Sequence, residues 1–209
     1  IMWSNTPSLE GWTNAAPSGS EITTLNNPGS GGAGPGTGYL NIQFPSQGGG
    51  PPWYEDDTIY SSALNVTGSY AIVQQLGVSF DFYADTLLPV SSVLYLHSAV
   101  DDSLWEYAFN NTAAGSWEHH EINFDYDLGW VGPGNGATFD ADLANIDWIG
   151  INIARAMDTA IQNYGIDNWQ YFVPEPGSAC VVAAAFLSML TAFRRRIKDR
   201  FTHRQGRAA

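Results

Sequence analysis

Apolar and polar residues alternate one by one in a series of short stretches through the first 173 residues, and no long amphipathic helical pattern competes with them. In Tyr39–Phe44, Leu40, Ile42 and Phe44 alternate with Tyr39, Asn41 and Gln43. Val78, Phe80 and Phe82 share one face, with Ser79, Asp81 and Tyr83 on the other. Val93–His97 and Leu104–Phe109 follow, then Ser116–Phe124, where Ile122 and Phe124 face away from Trp117, His119 and Glu121. Ile149, Ile151 and Ile153 alternate with Trp148, Gly150 and Asn152, and a last strand runs over Tyr164–Val173. A period of two marks strands with one buried face. Strands in succession without helices between them predict an all-β antiparallel sandwich. The glycine-rich stretch Asn26–Gly38 is expected to be a loop within that domain, because strands on both sides are needed to fill one core.

The end of the chain is of another kind. Residues 177–193 form an apolar run of 17 residues, followed by Arg194, Arg195 and Arg196. At about 1.5 Å per residue a helix of that length reaches roughly 25 Å, the lower limit for a hydrocarbon core. Cytoplasmic flanks collect Lys and Arg, so the expected topology is N-terminus outside and C-terminus in the cytoplasm. Seven of the eight basic residues lie in this tail. Residues 1–173 hold one, Arg155, against 19 acidic residues, a net charge near −18. Such a surface repels nucleic acid and anionic headgroups. The one cysteine, Cys180, lies in the apolar run, so the outer domain has no disulfide, thiolate metal site or Cys nucleophile. The sequence shows no initiator Met and no basic-then-apolar leader, and is expected to start after a cleaved signal or to be a fragment.

Val173-Pro174-Glu175-Pro176-Gly177-Ser178, the apolar run and the Arg cluster together resemble the PEP-CTERM sorting signal of exosortase substrates. The resemblance covers residues 173–200 and implies recognition by an exosortase-type membrane protease or transpeptidase, removal of the tail, and placement on the cell surface or in an extracellular matrix. A sortase signal would need a Leu-Pro-x-Thr-Gly-type motif, and a GPI signal ends in its hydrophobic stretch. The organisation expected is an extracellular sandwich over residues 1–172, the sorting signal with a single transmembrane helix, and a basic cytoplasmic tail over 201–209.

The order of strands in the outer domain is similar to galactose-binding-like jelly rolls, the fold of many carbohydrate-binding modules. Leu9-Glu10-Gly11-Trp12, the segment Phe139–Ile151 and Gly165-Ile166-Asp167-Asn168-Trp169 carry that likeness. It implies a non-catalytic glycan-binding role and a structural Ca²⁺ held by Glu10 and Asp167. All eight tryptophans precede residue 173, and sugar rings stack on exposed aromatic planes. Trp53 and Tyr54, after a Gly-Pro run, and Trp130, before Gly132-Pro133-Gly134, read as loop aromatics and are the candidate ligand contacts; Trp148 and Trp169 read as core.

Catalysis is the sharper alternative. Two carboxylates at a suitable separation hydrolyse glycosides, but with so many acids pairs arise by chance, and no catalytic residue is assigned. His119 and His120 are neighbours on a strand and point to opposite faces. No nucleophile elbow, HExxH, Walker loop or dinucleotide fingerprint occurs. The runner-up to glycan binding is a structural matrix component with no specific ligand, and the hydrolase comes third.

Overall fold

The computed structural model describes residues 8–14, 22–35, 37–47, 56–62 and 77–172. Among them ten strands, one 3-10 turn and one short α-helix follow in order: β1 Trp12–Asn14, β2 Thr24–Asn26, β3 Leu40–Phe44, β4 Asp56–Ser61, β5 Gly77–Ala84, β6 Ser91–Ser98, β7 Ser103–Phe109, β8 Trp117–Asn123, the 3-10 turn Tyr126–Leu128, α1 Gly136–Asp142, β9 Ile146–Ala154 and β10 Gln162–Phe172. They form two five-stranded sheets, β1-β4-β9-β6-β7 and β2-β3-β10-β5-β8. Every pairing is antiparallel. From β3 onward the chain passes from one sheet to the other at every connection except the β6–β7 hairpin, so most sequence neighbours lie in opposite sheets. This is the jelly-roll arrangement of an all-β sandwich.

The alternation explains the core. Leu40, Ile42 and Phe44 from β3, Phe80 and Phe82 from β5, Leu94 and Leu96 from β6, and Ile149 and Ile151 from β9 are all fully buried between the sheets. Each such side chain contributes about 1.5–3 kcal/mol by leaving water. Aromatic rings fill the middle. Phe80 stacks on Trp169 with centroids 5.3 Å apart, and Trp12 meets Trp169 edge-on at 5.0 Å. Trp169 is therefore core, as its apolar neighbours predict. His120 points inward and stacks on Phe80, while His119 points outward to Asp81, as alternation on β8 requires.

Beyond β7 the chain closes one end of the sandwich. Asn135 caps α1 by accepting hydrogen bonds from the amides of Ala137 and Thr138. The helix seats Phe139 against Trp105, with centroids 5.0 Å apart. The Trp105 indole N–H donates to the buried carboxylate of Asp142 at 2.8 Å. Val131 pairs with Glu106 through two backbone hydrogen bonds, which covers part of the β7 edge.

Among the described residues no helix is long and apolar enough to cross a membrane. The apolar run 177–193, the sorting motif at Val173, Pro174, Glu175 and Pro176, and Arg194, Arg195 and Arg196 lie outside the described residues.

Candidate functional site

The outward face of the β1-β4-β9-β6-β7 sheet carries an aromatic row. Because Ile149, Ile151 and Ile153 point inward, Trp148 and Gly150 must point out. Register then aligns Tyr60, Gly150, Tyr95 and Glu106 across β4, β9, β6 and β7. The next row holds Trp148, His97 and Leu104. Trp148 stacks flat on the His97 imidazole, with centroids 4.9 Å apart and planes 8° apart. Tyr60 meets Trp148 edge-on at 5.8 Å. Gly150 is buried under its neighbours: a Cβ there would fall 3.1 Å from Trp148 Cζ3 and 2.9 Å from the Ile59 carbonyl oxygen, so glycine lets the Trp148 ring lie close over the sheet.

Polar groups frame the row. Nδ1 of His97 lies 2.5 Å from Asp147 Oδ1, and Nε2 lies 2.9 Å from Asp102 Oδ1. Both ring nitrogens face carboxylates, so the doubly protonated imidazolium satisfies both contacts. Burial of the ring by itself lowers the imidazolium pKa. Hydrogen bonds and charge from Asp147 and Asp102 outweigh that cost and hold the His97 pKa above its ordinary 6.5. On the other side of Gly150, Asn152 donates to Thr58 Oγ1 at 3.0 Å and to Asp56 Oδ2 at 3.3 Å. A groove of about 450 Å³ adjoins the row along β7, between Asp101, Asp102, Leu104 and Glu106 on one side and Val131–Pro133 on the other.

A pH dependence follows from the His97 contacts. A group whose folded-state pKa is raised stabilises the fold fully below its unfolded pKa, and the contribution is lost as pH rises through the folded value. Melting temperature is therefore expected to fall as pH rises from about 6 to above the folded His97 pKa, the unfolded value being about 6.5. His97→Gln should remove this component. An identical slope in the variant would contradict the assignment.

The residues singled out from sequence fall in different places. Trp130 is corrected: it is 3 % exposed and has no face for a ligand. Its indole N–H donates to the Asn123 carbonyl at 2.7 Å, and its ring packs on Phe139, Phe124 and Tyr107. The Gly-Pro-Gly segment after it is exposed, but Gly132 lies against the Trp105 ring, where a Cβ would fall 2.2 Å from Cε3. Trp148, read from sequence as core, is instead half-buried on the outer face. Trp53 and Tyr54 lie outside the described residues.

Asp167 is fully buried on β10. One carboxylate oxygen accepts from the Ala33 amide at 2.8 Å and the Thr37 hydroxyl at 3.2 Å, the other from the Asn168 amide at 2.7 Å. The glycine-rich loop is thus tied down on a carboxylate, beside a bulge where β10 shifts register and Asn168 adopts φ 52°. Glu10 sits in the turn before β1 at φ 50°, its amide donating to Ser8 Oγ. Ca²⁺ takes six to eight oxygen ligands, whereas the partners of Asp167 are N–H and O–H donors. Among the described residues no group of three or more His, Cys, Asp or Glu is arranged to hold a metal ion. This donor set makes a hydrogen-bonded loop anchor and does not fit the expected Ca²⁺ cage. Arg155, the lone Lys or Arg of residues 1–173, is also buried: it donates to the carbonyls of Pro45, Asp158 and Ala160.

No protein-family model matches the chain, and no curated protein matches it by sequence. Solved structures do match by shape. One is the family 11 carbohydrate-binding module of the cellulosomal cellulase Lic26A-Cel5E of Clostridium thermocellum, at 15 % identity and TM-score 0.51 over 83 % of this chain and 93 % of that one. The Clostridium thermocellum family 11 module in complex with a β-1,3-1,4-mixed-linked tetrasaccharide matches at 14 % identity and TM-score 0.52, over 82 % and 94 %. An exo-β-agarase matches at 10 % identity and TM-score 0.61 over 84 % of this chain, which spans 25 % of the enzyme's. At these identities the likeness is one of fold. This chain shares with the carbohydrate-binding modules an all-β sandwich of two antiparallel sheets, nearly end to end.

Proposed function

We propose that the outer domain is a non-catalytic glycan-binding module, carried by an exported protein that an exosortase-type enzyme sorts to the cell surface or matrix. The observation that carries the binding part is the Tyr60–Trp148–His97 row beside a groove, on an outward sheet face. Sugar C–H faces stack on such rings. Hydroxyl groups can donate to Asp102, Asp147 and Glu106, and carboxylate acceptors favour a neutral polyol over an anion. The fold neighbour solved with a mixed-linked tetrasaccharide supports the same ligand class.

A hydrolase would need two carboxylates facing each other across the scissile bond. Here Asp102 and Asp147 have the His97 ring between them, in the space such a bond would occupy. That arrangement favours binding over hydrolysis. Retarded migration of the full chain through a gel containing mixed-linkage β-glucan is the expected result. Unchanged mobility across a panel of neutral polysaccharides would shift the reading to a structural matrix component without a ligand.

Sorting rests on residues 173–200, where the short motif, apolar run and Arg cluster follow in order. Before processing, the apolar helix would hold the protein in the membrane. Glu175→Ala is expected to leave the tail attached, read as a larger mature mass and retention with membranes. The same mass and location as the unaltered chain would contradict a role for the motif.

A further inference from the structure

The opposite face of the sandwich carries a second aromatic floor. On the β2-β3-β10-β5-β8 sheet, Tyr83 of β5 stands between Gly165 of β10 and Trp117 of β8. Trp117 lies at 5.2 Å from Tyr83, with planes 35° apart, and Tyr39 meets it edge-on at 5.4 Å. The three rings converge over Gly165. A Cβ there would fall 2.8 Å from Trp117 Cη2 and 2.9 Å from Tyr39 Cδ2, so any other residue would lift the rings off the sheet.

Hydrogen-bonding groups flank this floor on both sides. Asp85 accepts from the Tyr83 hydroxyl and from Asn163 Nδ2, each at 3.4 Å, and Asn163 in turn accepts from Gln43. Asp81 contacts His119 Nδ1 at 2.7 Å and accepts from Asn168 Nδ2 at 2.6 Å. Burial raises the Tyr39 and Tyr83 pKa values, and Asp85 adds to both shifts, so both hydroxyls stay protonated. These rings contribute nothing to the core between the sheets. Half-exposed aromatics ringed by carboxylates and carboxamides are what a polyhydroxylated ligand needs.

We propose that the Tyr39–Tyr83–Trp117 face is a second glycan-binding surface, on the opposite side of the domain from Trp148, and that one domain bridges two chains of a neutral polysaccharide. The ligand class rests on the reading of the Trp148 face; the separate surface does not. A second copy of this chain fits poorly, because Asp81, Asp85 and Glu121 would face the same charges in the copy. An anionic polysaccharide meets the same repulsion. Two surfaces on one domain cross-link polymer and gain avidity.

The test is calorimetric titration of the full chain, in a detergent without a sugar headgroup, with β-1,3-1,4-mixed-linked tetrasaccharide and with a neutral agarose oligosaccharide. The expected result is two ligands per chain, one for Trp117→Ala, one for Trp148→Ala and none for the double variant. Soluble mixed-linkage β-glucan should turn turbid with the unaltered chain and stay clear with either single variant. Tyr39→Ala serves as a second probe of the floor should Trp117→Ala unfold, as read by its melting curve. One site per chain, lost in Trp148→Ala and untouched by Trp117→Ala, would overturn the second surface and leave the first standing. One site lost only in Trp117→Ala would overturn the pair and move binding to this face. No binding of either probe would overturn both.

Discussion

Arg155→Ala is expected to lower the unfolding free energy of the sandwich by about 3–5 kcal/mol, since it takes the donor from three carbonyls at about 1–3 kcal/mol for each one left buried and unsatisfied. Arg155 stands just past β9, fully buried, with its guanidinium against Phe44 at 6.0 Å. It donates to Pro45 O at 2.6 Å in the segment after β3, and to Asp158 O at 2.8 Å and Ala160 O at 2.7 Å in the connection from β9 to β10. One planar group thus ties two loops at one end of the sandwich. Its removal leaves carbonyls without donors and a void beside Phe44. For a domain of this size the loss corresponds to a fall in melting temperature of roughly 6–20 °C. Arg155→Lys should recover little, since an ammonium cannot present a planar fork to three separated carbonyls. A fall of less than about 2 °C in the Ala variant would mean that the loops hold their positions without the clamp.

Trp148→Ala is expected to weaken oligosaccharide binding at its own face by roughly 30-fold or more, the loss typical of truncating a central aromatic contact. The ring is the middle member of the row, between Tyr60 and His97, so its removal breaks the platform in two. Stability should change far less, by about 1–2 kcal/mol, because Trp148 lies on the outer face and gives up two aromatic contacts. Trp169→Ala, in the core, should instead cost about 3–5 kcal/mol. Trp148→Phe keeps a flat apolar ring and should retain much of the affinity. Equal binding by Trp148→Ala and the unaltered chain would remove the row from the site.

The strands that could be read from the sequence are those whose inward positions are all apolar. β3, β5 and β9 qualify, and their core residues follow directly from alternation; β6 does so only at its centre, where Leu94 and Leu96 lie between the buried Ser92 and Ser98. β4 does not. Its inward residues are Asp57, Ile59 and Ser61, and Asp57 is accommodated by accepting from the Ile22 and Thr58 amides. β1 and β2 have three residues each, too short for a period of two to register. α1 buries only Phe139 and Asp142, so one turn of apolar pattern was all it could show.

The candidate site was partly legible. Trp148 alternates with Ile149, Ile151 and Ile153, and that alone puts it outside; apolar neighbours in sequence are a poorer guide than parity along a strand. Trp117 was legible by the same rule. Trp130 was not. Its surroundings are rich in Gly and Pro, and its burial depends on Phe139 and Phe124 arriving from elsewhere in the chain. Nor does an Asp-Asn pair reveal whether its carboxylate holds a cation or peptide N–H groups. The Ala33 and Thr37 donors lie more than a hundred residues before Asp167. That choice is made by the tertiary fold.

The central claim is that this sandwich binds neutral glycan through an outward aromatic row. The most direct measurement is titration of the full chain with β-1,3-1,4-mixed-linked tetrasaccharide and with neutral agarose oligosaccharide, followed by tryptophan fluorescence, beside Trp148→Ala. The account predicts saturable binding to at least one of these sugars, with a component weakened about 30-fold or lost in the variant. Binding of full strength and stoichiometry in Trp148→Ala, or no binding of either sugar by the unaltered chain, would contradict it.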